Sequence, residues 1–125
     1  MGRINEFTCS SCNTTWQVRL GHGLGHAMLE SVLEEFSEEN QQKILEDTEG
    51  EEFPSFEFQF RTAICQRCKN VVAVPVITLL QSGQTYFNGC PDCGNSVIIP
   101  EQGSEMSCPN CGKAALTEEE IGRWD

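Results

Sequence analysis

The stretch CPDCGNSVIIPEQGSEMSCPNCG, residues 90–112, contains the phrase Cys-Pro-x-Cys-Gly twice. Two further Cys-x-x-Cys pairs stand upstream, so the eight cysteines form four pairs of equal spacing: Cys9/Cys12, Cys65/Cys68, Cys90/Cys93 and Cys108/Cys111. Such a turn, here called a knuckle, presents two sulfur atoms to one side of a metal ion. Two knuckles complete the tetrahedral thiolate shell that zinc accepts. Four knuckles therefore predict two closed four-cysteine sites and two Zn²⁺ ions as cofactors.

The residue after the second cysteine of a knuckle has to turn the backbone so that amides point toward the sulfurs. Gly94 and Gly112 suit that position at the third and fourth knuckles. Asn13 and Lys69 occupy it at the first and second. Asn adopts left-handed backbone angles more readily than Lys does.

The four knuckles can pair in three ways. The third and fourth are separated by 14 residues, as in a compact zinc ribbon. Pairing them leaves the first knuckle with the second, and short, uncrossed connections favour this sequential arrangement. An interleaved pairing, first with third and second with fourth, is the main rival.

A closed four-thiolate zinc site has no open position for water or substrate, which indicates a structural role. Iron is a minority alternative, because Cys-Pro-x-Cys-Gly also occurs in rubredoxin-like electron carriers. Thiol redox chemistry is a third alternative, which requires one pair free of metal. Since no Ser or Cys outside the knuckles accompanies a suitable His and acid, we expect no catalytic site.

The composition is typical of a small protein that needs metal ions or disulfides to stabilise its fold. Only 38% of the 125 residues are hydrophobic, and thin cores are usually supported by metals or disulfides. No apolar stretch of signal-peptide length precedes the first knuckle, and the longest apolar run, residues 71–80, is too short to span a membrane. We therefore expect a cytoplasmic protein without membrane association. In that compartment paired cysteines are more often metal ligands than disulfides.

The net charge of −11 is concentrated in one window. Residues 30–57 contain eleven acidic residues and one base, Lys43. This distribution predicts a partner protein with a basic surface and disfavours nucleic acid as a ligand, because DNA-binding domains present basic stripes. The alternative of nucleic-acid binding would use the following residues near the second knuckle: Arg61, Arg67 and Lys69, with Trp16 or Phe60.

The apolar pattern predicts a mainly β, or α+β, fold. Apolar and polar residues alternate over residues 15–19 and 56–60, where Phe56, Phe58 and Phe60 share one face. Residues 71–80 and 85–87 predict two more strands, and Pro75 indicates an edge position or a kink. Residues 96–99 and 105–107 suggest shorter strands.

One segment follows helical spacing instead. Residues 24–47 predict an acidic helical insert, packed through Leu24, Met28, Val32 and Phe36. Its predicted outward face comprises Glu30, Glu34, Glu35, Glu38 and Glu39. Ser37 is the predicted N-cap of its second helix, with Ile44 and Leu45 turned inward.

The C-terminal tail carries its own local signal. Thr117 and Glu120 form a capping box, which predicts a capped helical turn over residues 116–121. We expect Trp124 to pack against the body of the protein.

The N-terminal part resembles the bacterial CpXC-type zinc-binding domain. The matching motifs are Phe7-Thr8-Cys9-x-x-Cys12, Trp16-Gln17-Val18 and Phe58-x-Phe60 leading to Cys65-x-x-Cys68. The resemblance implies metal binding by a unit of residues 1–80 that contains the insert at about 24–47. Residues 85–115 are similar to generic zinc ribbons, which implies a second unit, residues 81–125, comprising a zinc ribbon and a short acidic tail. The expected fold is thus two zinc-ribbon-like units.

These features together predict a structural zinc-binding protein that acts as a small protein-interaction or adaptor module. The alternatives are a zinc-ribbon nucleic-acid-binding protein, and a rubredoxin-like electron carrier or metal-delivery protein. Delivery would gain support from a third, labile metal on His22 and His26, which stand four residues apart. A flexible glycine-rich turn explains the same stretch more simply.

Overall fold

The computed structural model describes residues 2–23, 28–101 and 104–124. The described chain is mainly β, as predicted, and its two helices lie between the second and third strands. The elements in chain order are β1 (Gly2–Cys9), β2 (Thr15–Leu20), α1 (Leu29–Leu33), α2 (Glu38–Asp47), β3 (Phe56–Cys65), β4 (Asn70–Leu79), β5 (Thr85–Phe87) and β6 (Leu116–Trp124).

The strands form two three-stranded antiparallel sheets, in the orders β2-β1-β6 and β3-β4-β5. A pair of backbone hydrogen bonds joins the two sheets, since Gly21 N donates to Phe60 O at 2.9 Å and Phe60 N donates to Gly21 O at 2.6 Å. Val18, Leu20 and Phe7 of the first sheet pack against Val71 of the second. The core is therefore continuous from one sheet to the other.

β3 and β4 form the longest strand pair and carry most of the core. Their Phe58, Ile77 and Leu79 face the helices, where they pack with Val32 and Phe36. The opposite face of the same pair is also buried, near the second and third knuckles. The buried cluster on that side comprises Ala63, Cys65, Val72, Val74, Val76 and Cys90.

Pro75 lies in the central strand of its sheet, not in an edge strand. Its partner across the ladder is Phe60, whose backbone N–H and C=O bond Gly21 instead of β4. β5 covers only Val76–Thr78 of β4. The nitrogen of Pro75 therefore points to the β5 side of the strand, beyond the residues that β5 covers, so the sheet loses no hydrogen bond to it.

The structure confirms that the insert is helical, but it differs from the prediction in which apolar residues are buried. Ser37 caps α2 as predicted, because its Oγ accepts a hydrogen bond from Asn40 N at 3.3 Å. Val32, Phe36 and Ile44 are buried, whereas Met28 and Leu45 are more than half exposed, against expectation. Met28 is not part of a helix but the residue before α1. The predicted contact of Leu24 lies outside the described residues.

The predicted helical turn over residues 116–121 is wrong, because this segment belongs to β6. Thr8, Glu6 and Ile4 of β1 pair with Thr117, Glu119 and Gly122. The free edge of β1 offers pairing along its eight residues, and these hydrogen bonds outweigh one local capping box.

Trp124 packs against the body of the protein, as expected. Its Nε1 donates to Arg3 O and Leu20 O, both at 3.1 Å, and its ring meets Phe60 edge-on at 5.9 Å. A Cβ at Gly2 would collide with this indole, so the tryptophan fits only because residue 2 is glycine.

The two short predicted strands are reduced to single bridges, Ile64 with Ile98 and Ser107 with Ala115. Zinc-ribbon-like units, and the division at residues 80 and 81, stay predictions. No helix of the described ranges is long and apolar enough to cross a membrane.

Candidate metal centres

Each knuckle is a tight turn next to the end of a strand. The first joins β1 to β2, the second joins β3 to β4, the third follows β5 and the fourth precedes β6. The position after the second cysteine is left-handed in all four: Asn13 at φ 61°, Lys69 at 57°, Gly94 at 75° and Gly112 at 68°. This confirms the backbone role predicted for these residues.

The same backbone bonds recur in the knuckles. Asn13 N, Gly94 N and Gly112 N each donate to the carbonyl of the first cysteine in their own knuckle at 2.8 Å. In the first two knuckles an amide also reaches a sulfur, with Cys12 N 3.5 Å from Cys9 Sγ and Cys68 N 3.4 Å from Cys65 Sγ. These turns therefore hold their sulfurs in place through the main chain.

The eight cysteines gather into two clusters of four. Within each cluster all sulfurs lie within 4.8 Å of one another. The first cluster is Cys9, Cys12, Cys108 and Cys111; the second cluster is Cys65, Cys68, Cys90 and Cys93. The predicted sequential pairing is therefore wrong, and so is the interleaved rival. The knuckles are nested, first with fourth and second with third.

Strand pairing explains why the knuckles are nested. Leu116, shortly after the fourth knuckle, pairs with Cys9 at the end of β1, which places the fourth knuckle beside the first. Ile98, shortly after the third knuckle, exchanges two backbone bonds with Ile64, next to the second knuckle. The two copies of the Cys-Pro-x-Cys-Gly phrase thus lie in different clusters.

The distances between the sulfurs fit a tetrahedral metal. A zinc–sulfur bond of about 2.3 Å implies tetrahedral edges of about 3.8 Å. Two of the edges that join the knuckles in the first cluster measure 3.5 Å (Cys9–Cys111) and 3.7 Å (Cys12–Cys108). Two such edges in the second cluster measure 3.5 Å (Cys65–Cys93) and 3.9 Å (Cys68–Cys90). Disulfide sulfurs would lie about 2.05 Å apart, and all eight cysteines are free.

Hydrogen bonds divide the thiols of the metal-free clusters into acidic and weakly acidic ones. The Thr14 hydroxyl, 3.1 Å from Cys12 Sγ, lowers the pKa of Cys12 to about 6. The Asn95 side-chain amide, 3.2 Å from Cys93 Sγ, lowers the pKa of Cys93 to about 6. The bond with Cys93, together with burial, raises the pKa of Cys68 to about 12. A metal ion that binds the second cluster must therefore displace the Cys68 proton.

The polar neighbours of the sulfurs were not among the residues predicted from the sequence. Thr14 and Asn95 each stand two positions after the second cysteine of a knuckle, which is a local signal that could have identified them. Asn110 has a weaker signal, because it contacts the opposite knuckle: its Nδ2 lies 3.7 Å from Cys12 Sγ and 3.2 Å from Thr14 Oγ1.

Comparisons with known proteins add no relative. No protein-family model matches the chain, and no curated protein or solved structure is significantly similar to it. The resemblance to the CpXC-type domain therefore stays an expectation from the sequence.

The structure adds no support for a function of the histidine pair. His22 is exposed beside a cavity that Phe56, Phe58 and Leu80 also line, and His26 lies outside the described residues. His22 precedes α1 by several residues, so it does not lie on that helix.

Proposed function

We propose that this chain is a structural zinc protein, in which two four-cysteine centres hold a small scaffold used for protein interaction. One observation carries the proposal: eight thiols form two separate clusters, each with sulfurs close enough to share one ion. Zinc bound by four thiolates has no open position, so it stabilises the fold and we assign the chain no catalytic step. The residues that would hold the ions are the eight knuckle cysteines.

The interaction role is supported by the surface around the end of α2. Leu80 N donates to Ser55 O at 3.0 Å, and Asp47 Oδ2 accepts from Ser82 Oγ at 2.9 Å. These bonds bring three segments together at one end of the molecule. The surface there, called the acidic end below, comprises Leu45, Phe53, Leu80, Glu46, Glu49 and Glu52, all exposed.

Phe53 is the most exposed large apolar residue of the acidic end, at 83%. Exposed aromatic residues bordered by charge are typical of binding surfaces. The carboxylates favour a partner with basic residues and mainly accelerate its approach, while the apolar side chains contribute affinity when they are buried. The proposed partner is therefore a protein segment that carries both basic and apolar side chains.

Metal analysis of the purified protein tests the first half of the proposal. We expect two zinc ions per chain and a colourless solution, with both ions released when the thiols are alkylated. One zinc per chain, or a red chromophore with near-stoichiometric iron, would replace the zinc proposal; iron would favour the electron-carrier alternative.

A peptide titration tests the second half. The probe is a synthetic amphipathic helix of leucine and lysine, titrated into the zinc-loaded protein at 50 and 300 mM salt. Binding should weaken at the higher salt concentration, because exposed charges are screened. Phe53→Ser should weaken it about tenfold. The matched control, Phe87→Ser, removes another exposed phenylalanine on β5 and should leave the affinity unchanged.

Equal effects of the two variants would remove the acidic end from the proposal. Labelled single-stranded RNA and duplex DNA are titrated in parallel. Sub-micromolar binding that is lost on mutating the exposed Arg67 and Lys69 would favour the nucleic-acid alternative instead.

A further inference from the structure

The two clusters differ in how exposed their cysteines are to solvent. In the first cluster Cys12 and Cys111 are half-buried and the other two cysteines are buried. In the second cluster Cys93 is exposed, and it is the only exposed cysteine of the eight. Residues 91–94, the whole tip of the third knuckle, are exposed as well. A solvent-borne reagent therefore reaches the second cluster first.

The clusters also differ in how firmly their C-terminal knuckles are anchored. The fourth knuckle leads into β6, and eight of the nine residues of β6 pair along β1. The third knuckle is followed by one bridge, from Ile98 to Ile64, and by packing of Val97 and Ile99. Opening the third knuckle therefore breaks fewer strand hydrogen bonds than opening the fourth, which makes a local transition easier there.

We propose that the second cluster is an oxidant-sensitive metal centre and that Cys93 is its site of attack by hydroperoxides. The proposal rests on the zinc occupancy proposed above and concerns the stability of that occupancy. It assigns to this chain a modification site and a way to release one of its two ions.

The chemistry needs two thiolates and one peroxide. Cys93 sulfur attacks one peroxide oxygen, the O–O bond breaks, and the leaving hydroxide takes a proton to become water. The Cys93 sulfenic acid that results is attacked by Cys65 sulfur, 3.5 Å away, and the S–O bond breaks as the S–S bond forms. The second hydroxide also leaves as water. Two thiolates are oxidised, one peroxide is reduced to two waters, and the ion loses two of its four ligands.

The test uses the full-length, zinc-loaded protein after its two ions have been counted. Fewer than two ions at this stage is a failure of the proposed function and is recorded separately. Graded hydrogen peroxide is then added, zinc release is followed with a chromogenic chelator, and disulfides are mapped by mass spectrometry. We expect one ion to leave first, together with a Cys65–Cys93 disulfide, while the thiols of the first cluster resist alkylation. Simultaneous loss of both ions, earlier loss from the first cluster, or a first disulfide without Cys93 would overturn the proposal.

Two asparagine variants provide a matched comparison in which every ligand is retained. Asn95 Nδ2 contacts Cys93 Sγ, and Asn110 Nδ2 contacts Cys12 Sγ in the other cluster. Asn95→Ala removes the amide that contacts the attacked sulfur. Since losing a group that supports a metal ligand weakens metal binding by about tenfold or more, the first phase of zinc release should accelerate about tenfold. Asn110→Ala should leave that phase unchanged. Equal rates for the two variants would contradict Cys93 as the site of attack.

Discussion

Lys69 occupies a backbone conformation that costs a non-glycine residue energy. Its φ of 57° follows from its position directly after the second cysteine of the second knuckle. Glycine occupies the same position in the third and fourth knuckles, as Gly94 and Gly112. A left-handed residue with a Cβ costs roughly 1–2 kcal/mol, and asparagine is the usual exception, as at Asn13. Lys69 is exposed, so its side chain has little packing to offset that cost.

Replacing this lysine with glycine should therefore stabilise the protein. We expect Lys69→Gly to raise the free energy of unfolding of the zinc-loaded protein by about 1 kcal/mol, because the left-handed strain is removed. Urea unfolding measures the change. Arg67→Gly is the control: Arg67 is exposed in the same knuckle but has no positive φ, so glycine there should be neutral or destabilising. A lower stability of Lys69→Gly than of the wild type would contradict the strain argument.

β6 shows that a segment with a local helix signal can form a strand when the edge of another strand is available for pairing. Its sequence contains a helix-capping box, yet eight of its residues pair with β1. Trp124 closes the end of this strand through two hydrogen bonds and its edge-on contact with Phe60. The strand is otherwise exposed on most of its length, so its attachment depends on β1, Trp124 and the fourth knuckle.

Truncating the tryptophan should loosen β6 measurably. Trp124→Ala should lower the free energy of unfolding by about 2–3 kcal/mol, somewhat below the loss for a fully buried tryptophan. Amide hydrogen exchange should accelerate along β6 before it does in β3 and β4. Ile121→Ala, on the same strand but 45% exposed, should cost well under 1 kcal/mol. Unchanged exchange in β6 of the tryptophan variant would show that the indole does not hold the strand.

At the scale of the molecule, the nested clusters tie together segments that are distant in the chain. The first cluster joins the N-terminal hairpin to the C-terminal strand, with Cys9 and Cys111 102 positions apart. The second joins β3 and β4 to the segment after β5. The small hydrophobic core is thus supported by two cysteine clusters, each of which joins separate parts of the chain.

Two serine variants distinguish this nesting from the sequential pairing. Cys108→Ser should release the ion from the first cluster and expose Cys9 and Cys12 to alkylation, while the second cluster stays loaded. Cys90→Ser should do the converse and expose Cys65 and Cys68. Metal content and mass-spectrometric mapping of alkylated cysteines check both. Protection of Cys9 and Cys12 in the Cys108 variant, with loss of metal from Cys90 and Cys93, would restore the sequential pairing.

Metal affinity of the second cluster should depend on pH with a definite sign. Because the pKa of Cys68 is raised to about 12 in the metal-free protein, this thiol carries its proton at pH 7 and loses it when zinc binds. Protons and zinc compete for the same sulfur, so affinity falls as pH falls, by about tenfold per pH unit for each proton displaced. Chelator competition at pH 6.5 and 7.5 measures this slope. An affinity independent of pH would contradict it.

The cysteines that gather into clusters and the local geometry of the knuckles could be predicted from sequence because both are local. Four equal Cys-x-x-Cys spacings identify the eight cysteines that could hold metal, and the left-handed positions follow one residue after each pair. The strands β2, β3, β4 and β5 and the cap at Ser37 are also local, since alternation and capping act over a few residues.

Tertiary structure alone decided which knuckles meet and what the tail becomes. Both outcomes depend on hydrogen bonds between distant residues: Leu116 beside Cys9, and Ile98 beside Ile64. A knuckle of fixed spacing fits any of the others equally well, so spacing contains no information about its partner. The nested arrangement is selected because it satisfies the free edges of β1 and β3, and no pattern within the C-terminal segment by itself reports those edges.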